Sequence, residues 1–259
     1  MQSNNNQMKE VALAVALKAG HFLKDTIKNV HTIEYKGEID IVTEADKMAE
    51  EIIVGSLQKN FPHHDILSEE VGSINRGSEF RWIIDPLDGT TNFAHAYPVF
   101  CVSIALEVAG DVVLGVIYNP MLDEMFFVRK GDGSFLNGKP ILCSNEKELG
   151  KSLLATGFPY DIRSNQDNNL NYFSVMAKRA RAIRRAGSAA LDMAYLAMGR
   201  FDGFWELRLK AWDTAAGALL IREAGGMVTD LEGNEFTLSS PHILASNGKI
   251  HEQMLTVLK

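Results

Sequence analysis

Two cysteines, Cys101 and Cys143, are all that the 259 residues contain. That leaves no disulfide framework and no thiolate metal cage. Neither thiol sits in metal-type spacing, so both read as reduced cysteines of a cytosolic protein. Long apolar runs are missing too. No stretch approaches the roughly 18 residues needed to span a membrane, and the leading MQSNNNQMKE has no apolar signal core. Positive charge is not in excess either. Lys and Arg number 26 against 33 Asp and Glu, for a net charge of -7, so electrostatics alone do not make a general nucleic-acid binder. No repeat, low-complexity tract or linker divides the chain. The expectation is a soluble, cytoplasmic protein without membrane contact. Its apolar content, 46%, supports a sizeable core.

Hydrophobic spacing places a helix over about Met8 to Asn29, with Val11, Val15, Phe22 and Ile27 near one stripe. HTIEYKGEID (His31–Asp40) is polar, contains Gly37, and reads as a loop or mobile hairpin. A second helix starts at Thr43, which can cap it with Asp46 three residues on; Met48, Ile52, Ile53 and Leu57 form its apolar face. FPHH ends that helix, and His63-His64 reads as a solvated turn. Short strand-like runs follow: DIL, FRWIID, a hairpin of Val99–Ala109 and Asp111–Pro120 about Gly110, and further strands between glycine turns through EMFFVRKGDGSFLNGKPI. The second half alternates: strand SLLATG, helix Asn165–Ala177, strand AIRRA, helix Ser188–Met198, strand FDGFWEL. The helix AWDTAAGALLIREAGG, ended by Gly225-Gly226, comes next, and then strands MVTD and ILASN and a terminal helix. Such an order predicts layered helices and sheets, α+β or α/β.

Four segments set acids at or near the end of apolar runs: TEAD (Asp46), ILSEE (Glu69, Glu70), IIDPLDGTT (Asp85, Asp88) and AWDTAAG (Asp213). A lone acid is usually a solvated surface charge. Carboxylates beside Trp82, Ile83, Ile84 and Trp212 are different, because burying them uncompensated costs several kcal/mol each. A hard divalent cation would compensate them. The donors are all oxygens, with no His or Cys grouping, which favours Mg²⁺, Mn²⁺ or Ca²⁺. Within WIIDPLDGTTNF, Asp88 can fold back toward Asp85, Gly89 permits a sharp turn, and Thr90-Thr91 open a short helix whose free N–H groups suit a phosphate.

WIIDPLDGTTNF together with AWDTAAGALLIREAGG resembles the inositol monophosphatase family of Mg²⁺-dependent, lithium-sensitive phosphatases. The likeness runs from KGEIDIVTEAD through SEE to the final ASN. It implies a five-layer α-β-α-β-α sandwich of the inositol monophosphatase / fructose-1,6-bisphosphatase type. That sandwich would be a single domain over 1–259, with halves of about 1–145 and 146–259, assembled as a homodimer. The implied reaction is hydrolysis of inositol monophosphate, or a related sugar or polyol phosphate, by metal-activated water. About two to three Mg²⁺ ions would serve each site, Mn²⁺ would substitute, and Ca²⁺ and Li⁺ would inhibit. By position, Glu69, Asp85 and the Leu87 carbonyl would hold one ion, and Asp85, Asp88 and Asp213 another; a third, weaker ion would lean on Glu69. Thr90 with Asp46 would orient the attacking water, and Glu70 would support. Gly89 and Thr90 N–H groups would bind phosphate. Asp88, Gly187, Ser188, Ala189, Glu206 and Asp213 would meet the substrate, and Lys36 lies in the loop that folds over the site in relatives. Thr91-Asn92 stands where relatives acting on phosphoadenosine phosphate more often have Lys-Glu.

Other features read more plainly. Lys178, Arg179, Arg181, Arg184 and Arg185 form a solvated helix end and strand edge, with a second-phosphate or nucleic-acid patch as the sharper alternative. A second phosphate would suit fructose 1,6-bisphosphate, so a fructose-1,6-bisphosphatase or dual-specificity phosphatase is the alternative enzyme. A regulatory protein that contacts RNA polymerase or RNA is the alternative of another class. Arg208 would reach either the substrate mouth or a dimer surface. His95 and Tyr97 would shape the rim, and Met193 and Met198 would sit in the core.

Overall fold

The computed structural model describes residues 2–27, 33–35 and 41–258, with side chains over 6–27 and 43–258. Lys36 lies outside the described residues. Helix α1 (Gln2–Thr26) buries Met8, Ala12, Val15, Ala16, Ala19 and Leu23, with Ile27 just beyond its end. Val15 and Ile27 of the expected stripe are buried, but Val11 and Phe22 only flank it. The face is narrower and smaller than the spacing of large residues suggests, because alanines let the helix backbone approach the sheet. At Gly20 the approach is closest: an added Cβ would stand 2.4 Å from Cδ1 of Tyr118.

Strands β1 (Ile33–Tyr35) and β2 (Ile41–Thr43) pair antiparallel; the rest of the polar His31–Asp40 stretch lies outside the described residues. Helix α2 (Glu44–Asn60) begins at the expected cap. Thr43 and Asp46 exchange bonds in a capping box, each satisfying a backbone N–H that the helix start leaves open. Its buried face is Ala45, Ala49, Ile53, Val54 and Leu57, while Met48, expected on it, is 50% exposed. His64 also departs from its reading as a solvated residue. Its ring stacks between Phe61 and Phe80, with centroids 4.9 and 4.7 Å away, and its Nδ1 accepts the Trp82 indole N–H at 3.1 Å.

The first sheet holds β3 (Asp65–Ser68), β4 (Gly72–Ile74), β5 (Phe80–Asp88), β6 (Cys101–Val108), β7 (Asp111–Asn119), β8 (Glu124–Arg129), β9 (Gly133–Leu136) and β10 (Lys139–Ile141). Their order is β10-β9-β8-β7-β6-β5-β3-β4, antiparallel except for the parallel pair β3–β5. Ala109 and Gly110, both at positive φ, close the β6–β7 hairpin. Helix α3 (Thr90–Ala94) follows β5 directly. The second sheet has the order β12 (Ala182–Arg184), β11 (Leu153–Thr156), β13 (Gly203–Leu207), β15 (His242–Ser246), β14 (Met227–Thr229). Strand β11 runs parallel to both its neighbours, and the remaining pairs are antiparallel.

Helices α4 (Leu170–Ala177), α5 (Ala189–Ala197), α6 (Ala211–Glu223) and α7 (His251–Leu258) complete the chain. Helix α4 starts five residues later than its apolar spacing predicts. Asn165 and Asn168 spend their side chains on local bonds instead, Asn165 on Asp161 and Asn168 on the Leu170 N–H, while Asn169 donates to Thr156 and Gly157 and accepts the Trp205 indole N–H. Such side chains offer the backbone an alternative to helix.

The pleat sorts the layers. In β5 and β6, Trp82, Ile84, Val102, Ile104 and Leu106 face α1 and α2; Ile83, Cys101 and Ala105 face a middle layer of α5 and α6. That middle layer packs on Ala155, Phe204, Val228, Ile243 and Ala245 of the second sheet, whose far side buries Leu154, Trp205 and Leu244 against α4 and α7. The result is an α-β-α-β-α sandwich, as the family resemblance implies. Met193 is fully buried in it and Met198 partly so; Cys101 and Cys143 are free thiols. Among the described residues no helix is long and apolar enough to cross a membrane.

Candidate active site

A cavity of about 410 Å³ opens where the end of β5, α3, the turn before α5, β13 and α6 converge. Of the residues singled out in the sequence, Glu69, Asp85, Leu87, Asp88, Gly89, Thr90, Gly187, Ser188, Ala189, Glu206 and Asp213 line it. Asp46 and Glu70 do not, although Asp46 reaches the wall through Thr90. His95 and Tyr97 are exposed and lie outside the lining, because the chain after α3 turns away from the cavity; they do not shape its rim.

Each acid is placed by its own element. Asp85 near the end of β5 accepts the Leu87 N–H on Oδ1 at 3.0 Å, within a break in the β5–β6 register between Asp85 and Asp88. Pro86 falls inside this irregularity, where its missing N–H breaks no ladder bond. Asp88 reaches the start of α5: its Oδ2 accepts the Ser188 hydroxyl at 2.6 Å and the Ala190 N–H at 2.7 Å. Asp213, in the first turn of α6, accepts the Lys210 N–H at 2.6 Å. Gly89 adopts φ 101°, and a Cβ there would fall 2.9 Å from the Val99 carbonyl, so the turn into α3 requires glycine.

The Thr90 hydroxyl donates to Asp46 Oδ1 at 2.9 Å and leans toward the Leu87 carbonyl at 3.1 Å. Asp46 is fixed from its other side, where Oδ2 accepts the Thr43 N–H at 2.8 Å and its hydroxyl at 2.5 Å.

Electrostatics bind these positions into one unit. Burial pushes Asp85 well above the usual carboxylate range, and the charges of Glu69, Asp88 and Asp213 push it further. Burial and Asp88 do the same to Asp213. Asp88 is raised by burial, with the Ser188 and Ala190 bonds pulling back. Glu206, against Gly157 on the cavity wall, is pushed up to about 8 by burial and Asp88, with Arg185 opposing. Asp85 and Asp213 are lifted in this way by neighbouring carboxylates, a repulsion that a bound cation would relieve. The oxygen-only set of Glu69, Asp85, Asp88, Asp213 and the Leu87 carbonyl therefore fits a hard divalent cation. Among the described residues, no three such side chains already stand at ligand spacing.

Several lining residues carry contacts that sequence reasoning did not give them. Asn92 Nδ2 donates to the carbonyls of Val99 and Ala186 at 2.7 and 2.8 Å, tying the turn after β5 to the turn before α5. Asp192 is buried with Oδ1 unpartnered; a lone acid in the apolar run SAALDMAYLA was its available signal. Arg208, which the sequence places at either the substrate mouth or a dimer surface, lines the cavity and pairs with Asp161 through its two terminal guanidinium nitrogens. No local signal pointed to that pairing.

The profile of the inositol monophosphatase family matches residues 4–259. The chain belongs to the inositol monophosphatase family. An inositol-1-monophosphatase of Synechocystis is 44% identical over 96% of this chain and 88% of its own. A Nus factor SuhB of Pseudomonas aeruginosa is 44% identical over 97% and 96%. Among solved structures, an inositol monophosphatase from Anabaena aligns with TM-score 0.90 at 42% identity, covering 98% of this chain and 96% of that one. The extragenic suppressor protein suhB of Bartonella henselae aligns with TM-score 0.91 at 41% identity, covering 98% of each. Membership in the inositol monophosphatase family supports phosphatase activity, in a family that is generally metal-dependent.

Proposed function

We propose that the protein is a Mg²⁺-dependent phosphomonoesterase acting on inositol monophosphate or a related small sugar or polyol phosphate. The observation that carries this reading is the meeting of Glu69, Asp85, Asp88 and Asp213, from three separate segments, on one cavity beside the α3 turn. In this reading Glu69, Asp85 and the Leu87 carbonyl hold one ion, and Asp85, Asp88 and Asp213 a second. When bound, Mg²⁺ neutralises phosphoryl charge and acidifies water; Mn²⁺ would substitute, and Ca²⁺ and Li⁺ would inhibit.

The chain's own residues supply orientation. The single proton of the Thr90 hydroxyl is directed at Asp46 and Leu87. The Thr90 oxygen is thereby left as an acceptor for a water proton, with Asp46 behind it as the final base. The Gly89 and Thr90 amides would receive phosphate oxygens. Gly187, Ser188, Ala189 and Glu206 would meet the substrate's hydroxyls, with Lys36 and Glu70 in support. The working unit would be a cytoplasmic homodimer, which light scattering on the purified protein tests.

Phosphate release from inositol 1-phosphate, fructose 1,6-bisphosphate, glycerol 2-phosphate and phosphoadenosine phosphate, with and without Mg²⁺, decides the reading. Inositol 1-phosphate should lead, and only with Mg²⁺. Preference for fructose 1,6-bisphosphate would select the alternative enzyme, and no turnover of any ester would end the proposal.

A second reading rests on the SuhB-named relatives and the exposed Lys178, Arg179, Arg181, Arg184 and Arg185. It adds a regulatory contact with RNA polymerase or RNA. Pull-down of polymerase by the wild-type protein, lost when these five charges are reversed, would support it.

A further inference from the structure

Helix α2 braces the cavity at two points one turn apart. Residues four apart lie on one helix face, and here they are Asp46 and Glu50. Asp46 holds Thr90. Glu50 is 3% exposed and does something the proposed mechanism leaves unused. Its Oε1 alone accepts three bonds: the Ser68 hydroxyl, the Glu70 N–H at 3.2 Å and the Val71 N–H at 3.0 Å. These donors flank Glu69 on both sides. Its own N–H donates to the Ile84 carbonyl of the neighbouring strand at 3.2 Å. The segment carrying Glu69 is thus pinned to β5 by one backbone bond and to α2 by two backbone amides and the Ser68 hydroxyl.

Strand β3 ends at Ser68, so the Glu70 and Val71 N–H groups have left the sheet ladder. Without Glu50 those amides would have no strand partner, and a turn with unsatisfied donors rearranges toward water. Glu69 would move with it.

We propose that Glu50 is the positioning residue that presents Glu69 to the cavity and so sets the protein's affinity for its divalent cation. This rests on the Mg²⁺ reading of the site, and the two fail separately: wild-type protein that binds no Mg²⁺ ends that reading before any variant is compared.

The test is Mg²⁺ binding by calorimetry, with no substrate present. Glu50→Ala should weaken binding roughly 10- to 100-fold, the range usual for groups that orient a metal ligand. Glu50→Gln keeps a side-chain oxygen that can accept the same three bonds, so it should bind close to the wild-type level. Ile53→Val, a trim of a fully buried residue on the same helix, controls for loosening of α2 and should leave the affinity unchanged. Should Glu50→Ala fail to fold, Ser68→Ala removes one of the three donors and should weaken binding in the same direction by less. Wild-type affinity in Glu50→Ala, or in Ser68→Ala where that variant stands in, overturns the proposal. So does a Gln variant as weak as the Ala variant, or an Ile53→Val variant weakened as much.

Discussion

Asp88 and Asp213 separate folding from function at the level of one atom. The Ser188 and Ala190 bonds to Asp88 fall on Oδ2, and the Lys210 bond to Asp213 on Oδ2 as well. An asparagine whose oxygen takes that place keeps the bonds and loses the charge. Asp88→Asn should therefore fold normally and lose more turnover than the roughly 10–100-fold typical of changes one shell further out. Wild-type kcat at saturating Mg²⁺ would remove Asp88 from the chemistry. Burial also acts on Asp213, and more strongly, in the metal-free protein. Burial and Asp88 raise its folded pKa above the unfolded value, so at pH 8 its ionised form opposes folding. Asp213→Asn should raise the melting temperature in EDTA and lose much of the rise that Mg²⁺ gives the wild type. An equal Mg²⁺ response in both proteins would show that Asp213 takes no part in holding the ion.

Elements were legible in the sequence where a local rule chose them. The Thr43–Asp46 capping box, the Gly110 hairpin and the long helix α6 all follow from neighbours within a few positions. The end of β5 was legible for another reason: its acids, proline and glycine contradict a plain strand, and such contradictions gather at functional sites. What stayed hidden depends on partners distant in the chain. The Asn169 side chain stops α4 from starting early only because Thr156 is there to accept from it and Trp205 to donate to it.

His64 is a second such case, and it makes a prediction for the junction of α2, β3 and β5. Burial chiefly lowers its pKa, the neighbouring His63 adds to this, and Asp65 opposes. A protonated ring would also lose the Trp82 bond. The folded state then binds fewer protons than the unfolded state, whose histidine titrates near 6.5. Stability from His64 is thus complete above about pH 6.5 and is lost as pH falls below it. In saturating Mg²⁺, the urea midpoint should drop between pH 7.5 and 5.5. His64→Gln, which keeps an acceptor for Trp82, should start lower and fall less steeply. Part of the remaining slope belongs to His251, buried between Thr229 and Ser246 and lowered in the same sense. An unchanged slope in the Gln variant would clear His64 of any role.

Across the whole molecule, the site exists because α5 and α6 are sandwiched between two sheets at fixed depth. Nothing local in the chain reports that depth. It is set by contacts such as Gly115 of β7 against Ala216 of α6, where an added Cβ would stand 3.0 Å from the Ala216 Cα and 3.0 Å from Val128 Cγ1. Asp213 lies three residues before Ala216 on the same helix, so a shift of α6 away from the sheet moves a cavity acid with it. Gly115→Val should therefore do two things at once. Overpacking should cost about 1–3 kcal/mol in urea denaturation, and Mg²⁺ affinity should fall although the substitution touches no cavity residue. Ala197→Val in α5, overpacking the same layer at a fully buried residue near the end of α5 away from Asp88 and Ser188, should cost comparable stability and leave the ion's affinity nearly unchanged. Equal losses of affinity in the two variants would mean that the middle layer responds as a soft whole; a loss confined to Gly115→Val would show that the seat of α6 on the first sheet sets the geometry of the carboxylates.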